Sequence, residues 1–304
     1  MTAASPRHDL IVFGATSFVG KILTRHLLEQ LGACGNLKWA AAGRSLARLE
    51  ELRASLGPEA AKLPLVVADA ADEAALRQMC ARTRAVVSTV GPYALYGEPL
   101  VRVCAETGTD YCDLTGETQW IRRMLSQYEE MARKSGARIV HCCGFDSIPS
   151  DLGVHFLQQA AIRRFGQPCP RVKMRVKALR GGVSGGTVAS ILNIVKEAAA
   201  DPQLRKELAN PYSLCPGGYA PPVRQPDIRF AEFDNDFQVW VAPFIMSAIN
   251  TRIVQRTNAL TGQAYGAGFR YDEAVLAGGG LKGRLAALGM TAGLAGFMAA
   301  GAVG

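Results

Sequence analysis

The N-terminal half of the chain alternates short apolar runs with longer amphipathic stretches, and this rhythm limits the folds open to it. Apolar runs begin at residues 10, 37, 65, 85, 111 and 139, and the segments between them carry apolar residues at helical spacing. Short buried strands that alternate with helices are typical of a parallel sheet covered on both faces. We therefore predict an α/β fold in which residues 1–150 form a doubly wound parallel sheet of the Rossmann type.

The pattern changes after residue 150. We predict a helix over residues 151–165, a strand over 171–179 and a glycine-rich turn at 181–186 that opens a helix to about residue 200. Strand-like and helical signals overlap between residues 228 and 259. Residues 151–272 are therefore interpreted as an α+β lobe for substrate or dimerisation, and residues 273–304 as an apolar, Gly/Ala-rich C-terminal helix.

The formal net charge of +8 favours anionic partners such as a phosphorylated cofactor, an acidic substrate or an anionic membrane surface. Nucleic acid is disfavoured, because no zinc finger, helix-turn-helix or aromatic-basic stripe accompanies the charge. The eight cysteines show no paired metal spacing, so we predict no metal site. With no secretory signal evident in the first residues, reduced thiols and a cytoplasmic location are expected.

The sequence GATSFVG at residues 14–20 joins the first predicted strand to the first predicted helix. Glycines there allow a tight turn and close helix packing, and the helix N-terminus presents unpaired N–H groups to a diphosphate. The strand–turn–helix context makes this short motif specific, whereas a turn without a ligand is the alternative. The residues predicted to bind the cofactor phosphates are Gly14, Thr16, Ser17, Phe18, Val19 and Gly20. Ser17 replaces the usual middle glycine, and its hydroxyl can donate to a phosphate.

The end of the second strand indicates which nucleotide is bound. An NAD site places an acidic residue there for the ribose 2′-hydroxyl, but this chain reads AAGRS at residues 41–45. Arg44 offers a planar fork for a 2′-phosphate, and Ser45 can assist from a helix-capping position. We therefore predict NADP, with a solvated loop charge at Arg44 as the alternative.

Two further loops belong to the predicted cofactor site. Asp69 follows the third strand, where it can bond the adenine amine or simply cap the next turn. Val90, Gly91 and Pro92 follow the fourth strand, where the nicotinamide ribose passes in this fold. Gly91 permits close approach there, although a Gly-Pro pair is also an ordinary turn signal.

These stretches together resemble the saccharopine dehydrogenase-like oxidoreductases, in the branch that includes bacterial trans-acting enoyl reductases. Besides residues 14–20 and 41–45, the resemblance rests on longer motifs. They are VGPYALYGEP at 90–99, DYCDLTGE at 110–117, GFDSIPSDLG at 144–153, GGT at 185–187 and PFIMSAINTRIV at 243–254. The resemblance covers most of residues 8–260.

The resemblance implies an NADP-linked hydride transfer in lipid or glycolipid biosynthesis, on a small-molecule or lipid-linked substrate. It also implies a chain longer at its C-terminus than this one, so a shortened product is expected. A saccharopine or amino-acid dehydrogenase is a second interpretation. A non-catalytic, dinucleotide-binding, membrane-associated scaffold is a third, since no catalytic acid is unambiguous.

Candidate catalytic residues lie in two of the motifs. Tyr93 is placed to donate a proton near the nicotinamide, while a packed loop tyrosine is the alternative. Asp146 and Ser147 leave the sixth strand at its carboxyl end and can orient substrate or relay a proton, or form a structural turn. Ser150 or Asp151 is expected to cap the following helix, and His141 to be a core residue. A short-chain dehydrogenase mechanism is disfavoured, because no Tyr-x-x-x-Lys pair is present.

Two segments suggest contacts beyond the cofactor. Basic and apolar residues alternate from Arg171 to Ala178, which predicts either a charged, solvated edge strand or a surface for acidic ligands. The last twenty residues carry no charge and are long enough to span a bilayer, with Lys282 and Arg284 just before them. Peripheral attachment at the inner face of the plasma membrane and a buried or partner-covered helix, including a homodimer, both remain open.

Overall fold

The computed structural model describes residues 8–178, 185–219 and 221–303. The chain divides into two compact units. The first unit contains residues up to 115 together with 120–143, and the second contains residues 116–119 and those from 144 onward.

The first unit is built on a six-stranded parallel sheet. Its strands are β1 (His8–Phe13), β2 (Trp39–Gly43), β3 (Leu65–Val67), β4 (Thr83–Ser88), β5 (Asp110–Asp113) and β6 (Ile139–Val140). Their spatial order is β3-β2-β1-β4-β5-β6, and every neighbouring pair is parallel. This is the strand order of dinucleotide-binding folds, so the predicted fold class is confirmed.

Helices connect these strands. They are α1 (Phe18–Leu31), α2 (Leu46–Ser55), α3 (Glu73–Cys80), α4 (Tyr93–Tyr96), α5 (Glu98–Thr107) and α6 (Thr118–Ser135). The capping predictions from sequence are confirmed: the Ser45 side chain accepts a hydrogen bond from Arg48 N and that of Asp72 from Ala75 N. The fourth strand ends at Ser88, so Val90 lies in the loop that follows it, as predicted.

The second unit carries a smaller mixed sheet and five helices among its described residues. Its elements are α7 (Ile148–Phe165), β7 (Arg171–Val176), α8 (Gly185–Ala200), α9 (Pro202–Ala209), β8 (Glu232–Asp234), β9 (Val239–Pro243), α10 (Ser247–Leu260), β10 (Arg270–Gly278) and α11 (Gly280–Val303). The sheet order is β7-β10-β9-β8, with β10 parallel to β7 and antiparallel to β9. An α+β lobe and an apolar C-terminal helix are therefore present, as expected.

Several details of this unit differ from the prediction. In the segment 228–259, where strand and helix signals overlap, residues 247–259 lie in helix α10 and the preceding part contains the short strands β8 and β9. The strand β10 was not predicted and crosses the expected boundary after residue 272. Its periodicity is hidden because Asp272 and Glu273 are buried beside Tyr271 and Ala274. Most of the glycine-rich turn at 181–186 lies outside the described residues.

The basic strand β7 is not a row of solvated charges. Arg175 is only 2% exposed in its side chain and forms ion pairs with Asp234 and Asp272 at 2.7 and 2.6 Å. Lys173 pairs with Asp234 at 2.9 Å. The expectation of a wholly solvated edge is therefore wrong, because acidic residues from β8 and β10 neutralise these cations.

Candidate cofactor site

The turn between β1 and α1 requires glycine at two positions. Gly14 has a φ of +84°, and a Cβ there would lie 2.7 Å from Val90 Cγ2 and 2.8 Å from Thr89 Oγ1. A Cβ on Gly20 would lie 2.1 Å from Gly14 O. Both glycines are therefore fixed by the close approach of α1 and the β4 loop to this turn, which is how the motif works in dinucleotide-binding folds.

The first turn of α1 leaves amide groups available for an anion. The N–H groups of Phe18 and Val19 have no acceptor among the residues that the structure describes. Thr16 and Val19 are half-buried, and the Phe18 side chain is exposed. Free amides at a helix N-terminus, together with the helix dipole, favour binding of a phosphate.

Ser17 is already engaged within the protein. Its hydroxyl oxygen accepts a hydrogen bond from Gly20 N at 2.9 Å and lies 3.0 Å from Thr89 Oγ1. Thr89 Oγ1 is in turn within 2.9 Å of Gly14 O, an acceptor that can take the threonine proton. The Ser17 proton is then directed at Thr89, so donation to a phosphate would require that bond to break.

Arg44 stands exposed directly after β2. Its guanidinium makes no ion pair or side-chain hydrogen bond with any residue in the described ranges. Ser45, the next residue, is committed to capping α2. A free arginine with no acidic residue beside it at the end of the second strand suits a ribose 2′-phosphate.

Asp69 forms a local turn, as the alternative interpretation allowed. One carboxylate oxygen, Oδ1, accepts a hydrogen bond from Ala71 N at 3.0 Å. The residue is half-buried. Contact with adenine therefore stays a prediction, resting on the placement of Asp69 just beyond β3.

The loop after β4 contains Val90, Gly91 and Pro92. A Cβ on Gly91 would come no closer than 3.5 Å to the Tyr93 ring, so the protein itself does not require glycine there. The Gly91–Pro92 peptide is cis. Gly91 is exposed, which leaves its backbone accessible to a ligand.

The hydroxyl of Tyr93 is hydrogen-bonded to main-chain atoms. It donates to Ser88 O at 2.9 Å and accepts from Leu114 N at 3.4 Å, and the ring is 4% exposed. This corrects the prediction of a tyrosine free to donate a proton: Tyr93 is the packed loop residue of the alternative interpretation.

The two candidate residues of the second unit differ in accessibility. Ser147 is 3% exposed, and its hydroxyl donates to Asn250 Oδ1 at 2.8 Å. Its prediction as a substrate-facing group is corrected, because the hydroxyl holds α10 against the start of α7. Asp146 is exposed, and its carbonyl accepts a hydrogen bond from Asn250 Nδ2 at 2.9 Å. Ser150 and Asp151 lie inside α7 and do not cap it.

Sequence reasoning missed Thr89 and Asp113 at the carboxyl edge of the parallel sheet, and it named His141 only as a core residue, which its 5% exposed side chain bears out. Thr89 bridges the turn at Gly14 and the Ser17 hydroxyl. Asp113 ends β5 and is hydrogen-bonded to His141, just beyond β6, at 2.7 Å. The sequence signal available for Asp113 was an acidic residue at the end of a parallel strand. No such signal pairs it with His141, which is 28 residues away in the chain.

The chain's own residues thus fit a dinucleotide with an additional phosphate. The tight glycine turn and the free amides of α1 would hold the diphosphate, and Arg44 would hold the 2′-phosphate. Among the described ranges, no group of three His, Cys, Asp or Glu side chains is arranged to hold a metal ion.

Comparison with known proteins agrees with this geometry. Residues 10–140 match the family model of the saccharopine dehydrogenase NADP-binding domain. The trans-acting enoyl reductase of Mycobacterium bovis is 39% identical over 310 residues, which is 99% of this chain and 73% of that protein. The trans-acting enoyl reductase of Mycobacterium ulcerans is 38% identical with the same coverage. A Mycobacterium tuberculosis relative is 44% identical over 284 residues, 91% of this chain and 67% of its own.

Similar solved structures include the apo saccharopine dehydrogenase (L-Glu forming) of Saccharomyces cerevisiae. It is 20% identical with a TM-score of 0.43, over 56% of this chain and 35% of that one. The NADPH-dependent quinone oxidoreductase of Escherichia coli is 16% identical with a TM-score of 0.33, over 62% and 65%.

Proposed function

We propose that this chain reduces an enoyl group of a lipid-linked substrate. The premise is that the chain belongs to the saccharopine dehydrogenase-like oxidoreductases and, within them, to the trans-acting enoyl reductases. The chain is an NADP-dependent oxidoreductase. The enoyl group and the lipid character of the substrate are the proposal. They rest on identity of 38–44% to proteins that carry the enoyl reductase name.

The observation that supports NADPH as the reductant is the free Arg44 at the end of β2, beside a glycine turn that cannot hold a side chain. When bound, NADPH supplies the hydride. The chain supplies the binding site, in which the α1 amides would hold the diphosphate of the cofactor and Arg44 would hold the 2′-phosphate of the adenosine ribose. Fixing the cofactor in this way determines where a substrate double bond must lie to react.

The test uses the chain as it stands, with NADPH and 2-enoyl thioesters of N-acetylcysteamine bearing a short or a long acyl chain. We expect loss of NADPH absorbance and a saturated product, with a higher kcat/KM for the long acyl chain. Oxidation of saccharopine with NADP instead would favour the amino-acid dehydrogenase. Tight NADPH binding without turnover of any of these compounds would favour the non-catalytic scaffold.

A second proposal concerns the helix α11 and the membrane. Among the described residues it is the one helix long and apolar enough to cross a membrane, judged by length and composition over Gly280–Ala300. It packs on its own unit through Gly283 and Ala287, which are buried one turn apart. Leu281, Leu285 and Leu288 lie on the opposite face and are exposed.

We propose that this leucine face rests on an anionic membrane surface, at the cytoplasmic side of the plasma membrane. Lys282 lies beside the leucines, whereas Arg284 is held over the Trp240 ring at 5.3 Å. Apolar side chains next to a cation are typical of helices that lie in a lipid interface. We expect the chain to float with phosphatidylglycerol vesicles and the Leu285→Glu, Leu288→Glu variant to remain unbound. Dimers in sedimentation without flotation would favour a second copy of the chain on this face.

A further inference from the structure

A carboxylate–imidazole pair lies at the carboxyl edge of the parallel sheet. Asp113 is the last residue of β5, and His141 follows β6, the neighbouring strand. Nδ1 of His141 is 2.7 Å from Oδ2 of Asp113, and their side chains are 5% and 0% exposed. Ligands of open parallel sheets bind outside this edge, so the pair is on the side of the sheet where chemistry occurs.

The hydrogen bonds of Asp113 fix the tautomer of the histidine. Oδ1 accepts from Thr115 N at 3.1 Å and Cys142 N at 3.0 Å, and Oδ2 accepts from the Tyr111 hydroxyl at 3.0 Å. These donors occupy acceptor positions on both carboxyl oxygens, so Asp113 faces His141 as a hydrogen-bond acceptor. Nδ1 of His141 must therefore carry the proton of the 2.7 Å contact. Nε2 is left as the reactive nitrogen.

Nε2 of His141 has no hydrogen-bond partner in the described part of the chain, although it is buried. The indole Nε1 of Trp120 is also buried without a partner, and the two rings meet edge to face with centroids 5.0 Å apart. A buried unpaired polar group costs about 1–3 kcal/mol. Two in one aromatic cluster are unusual for a purely structural packing and are typical of a functional site.

Aromatic contacts connect this cluster to the loop after β4. The Trp120 ring lies 5.4 Å from the Tyr93 ring, and Tyr93 borders Gly91. The Tyr93 hydroxyl is bound to Ser88 O, so it has no proton free for a substrate. His141 therefore offers a better proton donor than the tyrosine of the same cluster.

We propose that His141 is the proton donor of the reduction and that Asp113 is its positioning residue. The inference rests on the proposed enoyl reduction. Bound NADPH would supply the hydride that forms the new C–H bond at the β-carbon, and the double-bond electron pair would move to the α-carbon. The imidazolium Nε2–H bond breaks and its proton forms the C–H bond at the α-carbon. The neutral imidazole then regains a proton from solvent, and Asp113 remains a carboxylate.

Titratable groups other than Asp113 also lie near His141. They are Tyr111, whose ring centroid is 5.9 Å from that of the imidazole, Cys143, whose thiol contacts His141 O, and Cys112, which is hydrogen-bonded to Cys143. Burial raises the pKa of Tyr111 far above its ordinary value. A hydrogen bond with Cys143 and burial raise the pKa of Cys112, and the same hydrogen bond lowers the pKa of Cys143. Asp113 is the carboxylate that is hydrogen-bonded to the imidazole.

The first test is structural and needs no turnover. In ¹⁵N-histidine NMR of the chain without cofactor, we expect the neutral His141 to carry its proton on Nδ1. In the Asp113→Asn variant we expect that tautomer preference to weaken. A neutral His141 protonated on Nε2 in the parent chain would overturn the assignment.

The second test uses NADPH and the 2-enoyl thioester probe in D₂O. The variant His141→Asn places an amide where Nδ1 was and keeps a donor for Asp113, so it is designed to preserve the fold. We expect kcat to fall about 10²- to 10⁴-fold, the usual contribution of a general acid. The parent rate is expected to decrease as the pH rises, and this decrease should be absent in the variant. In the variant, deuterium should enter both faces of the α-carbon. NADPH affinity should stay unchanged.

The matched control is His155→Asn, because His155 is also a half-buried histidine bonded through Nδ1, to the Tyr265 hydroxyl at 3.1 Å. It should keep the parent rate and stereochemistry. If the parent chain reduces the probe and the His141→Asn variant keeps the same rate, pH profile and single-face labelling, the role of His141 is overturned but the proposed function is not. A parent chain that binds NADPH but never reduces the probe overturns the proposed function as well.

Discussion

The hydroxyl groups of Ser17 and Thr89 lie 3.0 Å apart, although 72 residues separate them in the chain. Ser17 caps α1, and Thr89 follows β4 and reaches Gly14 O. This bond joins the predicted phosphate turn to the loop where the nicotinamide is expected. The two halves of the cofactor cradle are therefore held together by the protein before any ligand binds, which reduces the ordering cost of binding.

The first prediction concerns this bond. Ser17→Ala removes both the cap of α1 and the contact with Thr89, so the free energy of unfolding should fall by about 1 kcal/mol. NADPH affinity should change by less than about tenfold, because the lost proton points at Thr89. Urea unfolding and fluorescence titration with NADPH measure the two effects. A large loss of affinity at unchanged stability would show that Ser17 donates to a phosphate after all.

The second prediction compares Gly20, a helical glycine with no room for a side chain, with Gly153, a helical glycine that faces open space. Gly20→Ala places a Cβ 2.1 Å from Gly14 O, so the helix must shift and the free energy of unfolding should fall by about 1–3 kcal/mol or more, with loss of NADPH binding. Gly153→Ala in α7 meets no atom within 4 Å. It should stabilise the protein by up to about 1 kcal/mol, since alanine is the better helix former. Equal effects of the two changes in urea unfolding would refute the steric argument.

The third prediction tests the choice of cofactor. Arg44→Ala should weaken NADPH binding about 10- to 150-fold, since a charge-assisted hydrogen bond contributes roughly 1.5–3 kcal/mol. NADH affinity should stay the same, because NADH lacks the 2′-phosphate. Arg53→Ala, at the other end of α2, serves as the matched control and should leave both affinities unchanged. Calorimetric titration gives the values, and equal affinity of the parent chain for NADPH and NADH would contradict phosphate recognition.

The fourth prediction concerns pH. Burial alone would raise the pKa of Asp234, but hydrogen bonds from Lys173 and Arg175 outweigh it and hold that pKa well below its ordinary range. A lowered carboxylate pKa stabilises the fold above the unfolded value of about 3.9, and this stabilisation is lost as the pH falls through the folded pKa. Asp234→Asn should therefore cost about 3–5 kcal/mol throughout the neutral range and progressively less below about pH 4.

Urea unfolding at several pH values measures this difference. Asp236→Asn is the control, because its carboxylate contacts the same Lys173 but is 45% exposed and screened by solvent. Its cost should be much smaller. A cost for Asp234→Asn that grows as the pH falls would contradict the assignment.

The cofactor half of the site could be read from the sequence because it is local. Gly14, Ser17 and Gly20 act within one strand–turn–helix unit, and Arg44 follows one strand, so spacing along the chain reports their roles. The catalytic half could not be read in this way. Tyr93 and Ser147 looked accessible in sequence, but whether their hydroxyls are free depends on Ser88 O and Asn250, which only packing brings to them.

The strand β10 illustrates the same limit in the fold. Its two central residues, Asp272 and Glu273, are acidic, so the apolar pattern of a buried strand is absent. They are tolerated inside because distant groups satisfy them: Arg175 pairs with Asp272, and Tyr271 and Asn250 bond to Glu273. Periodicity measures the average polarity of a segment and does not record such compensation.

By itself, the sequence determined the parallel sheet, the phosphate-binding turn, the preference for NADP and the apolar C-terminal helix. Each follows from interactions between residues close together in the chain. Only the tertiary structure decided that Thr89 joins the two cofactor loops, that β7 is neutralised by acidic residues, and that Asp113 meets His141. These pairings lie 28 to 97 residues apart in the chain and depend on strand order and register, which place distant side chains on one edge or face of a sheet.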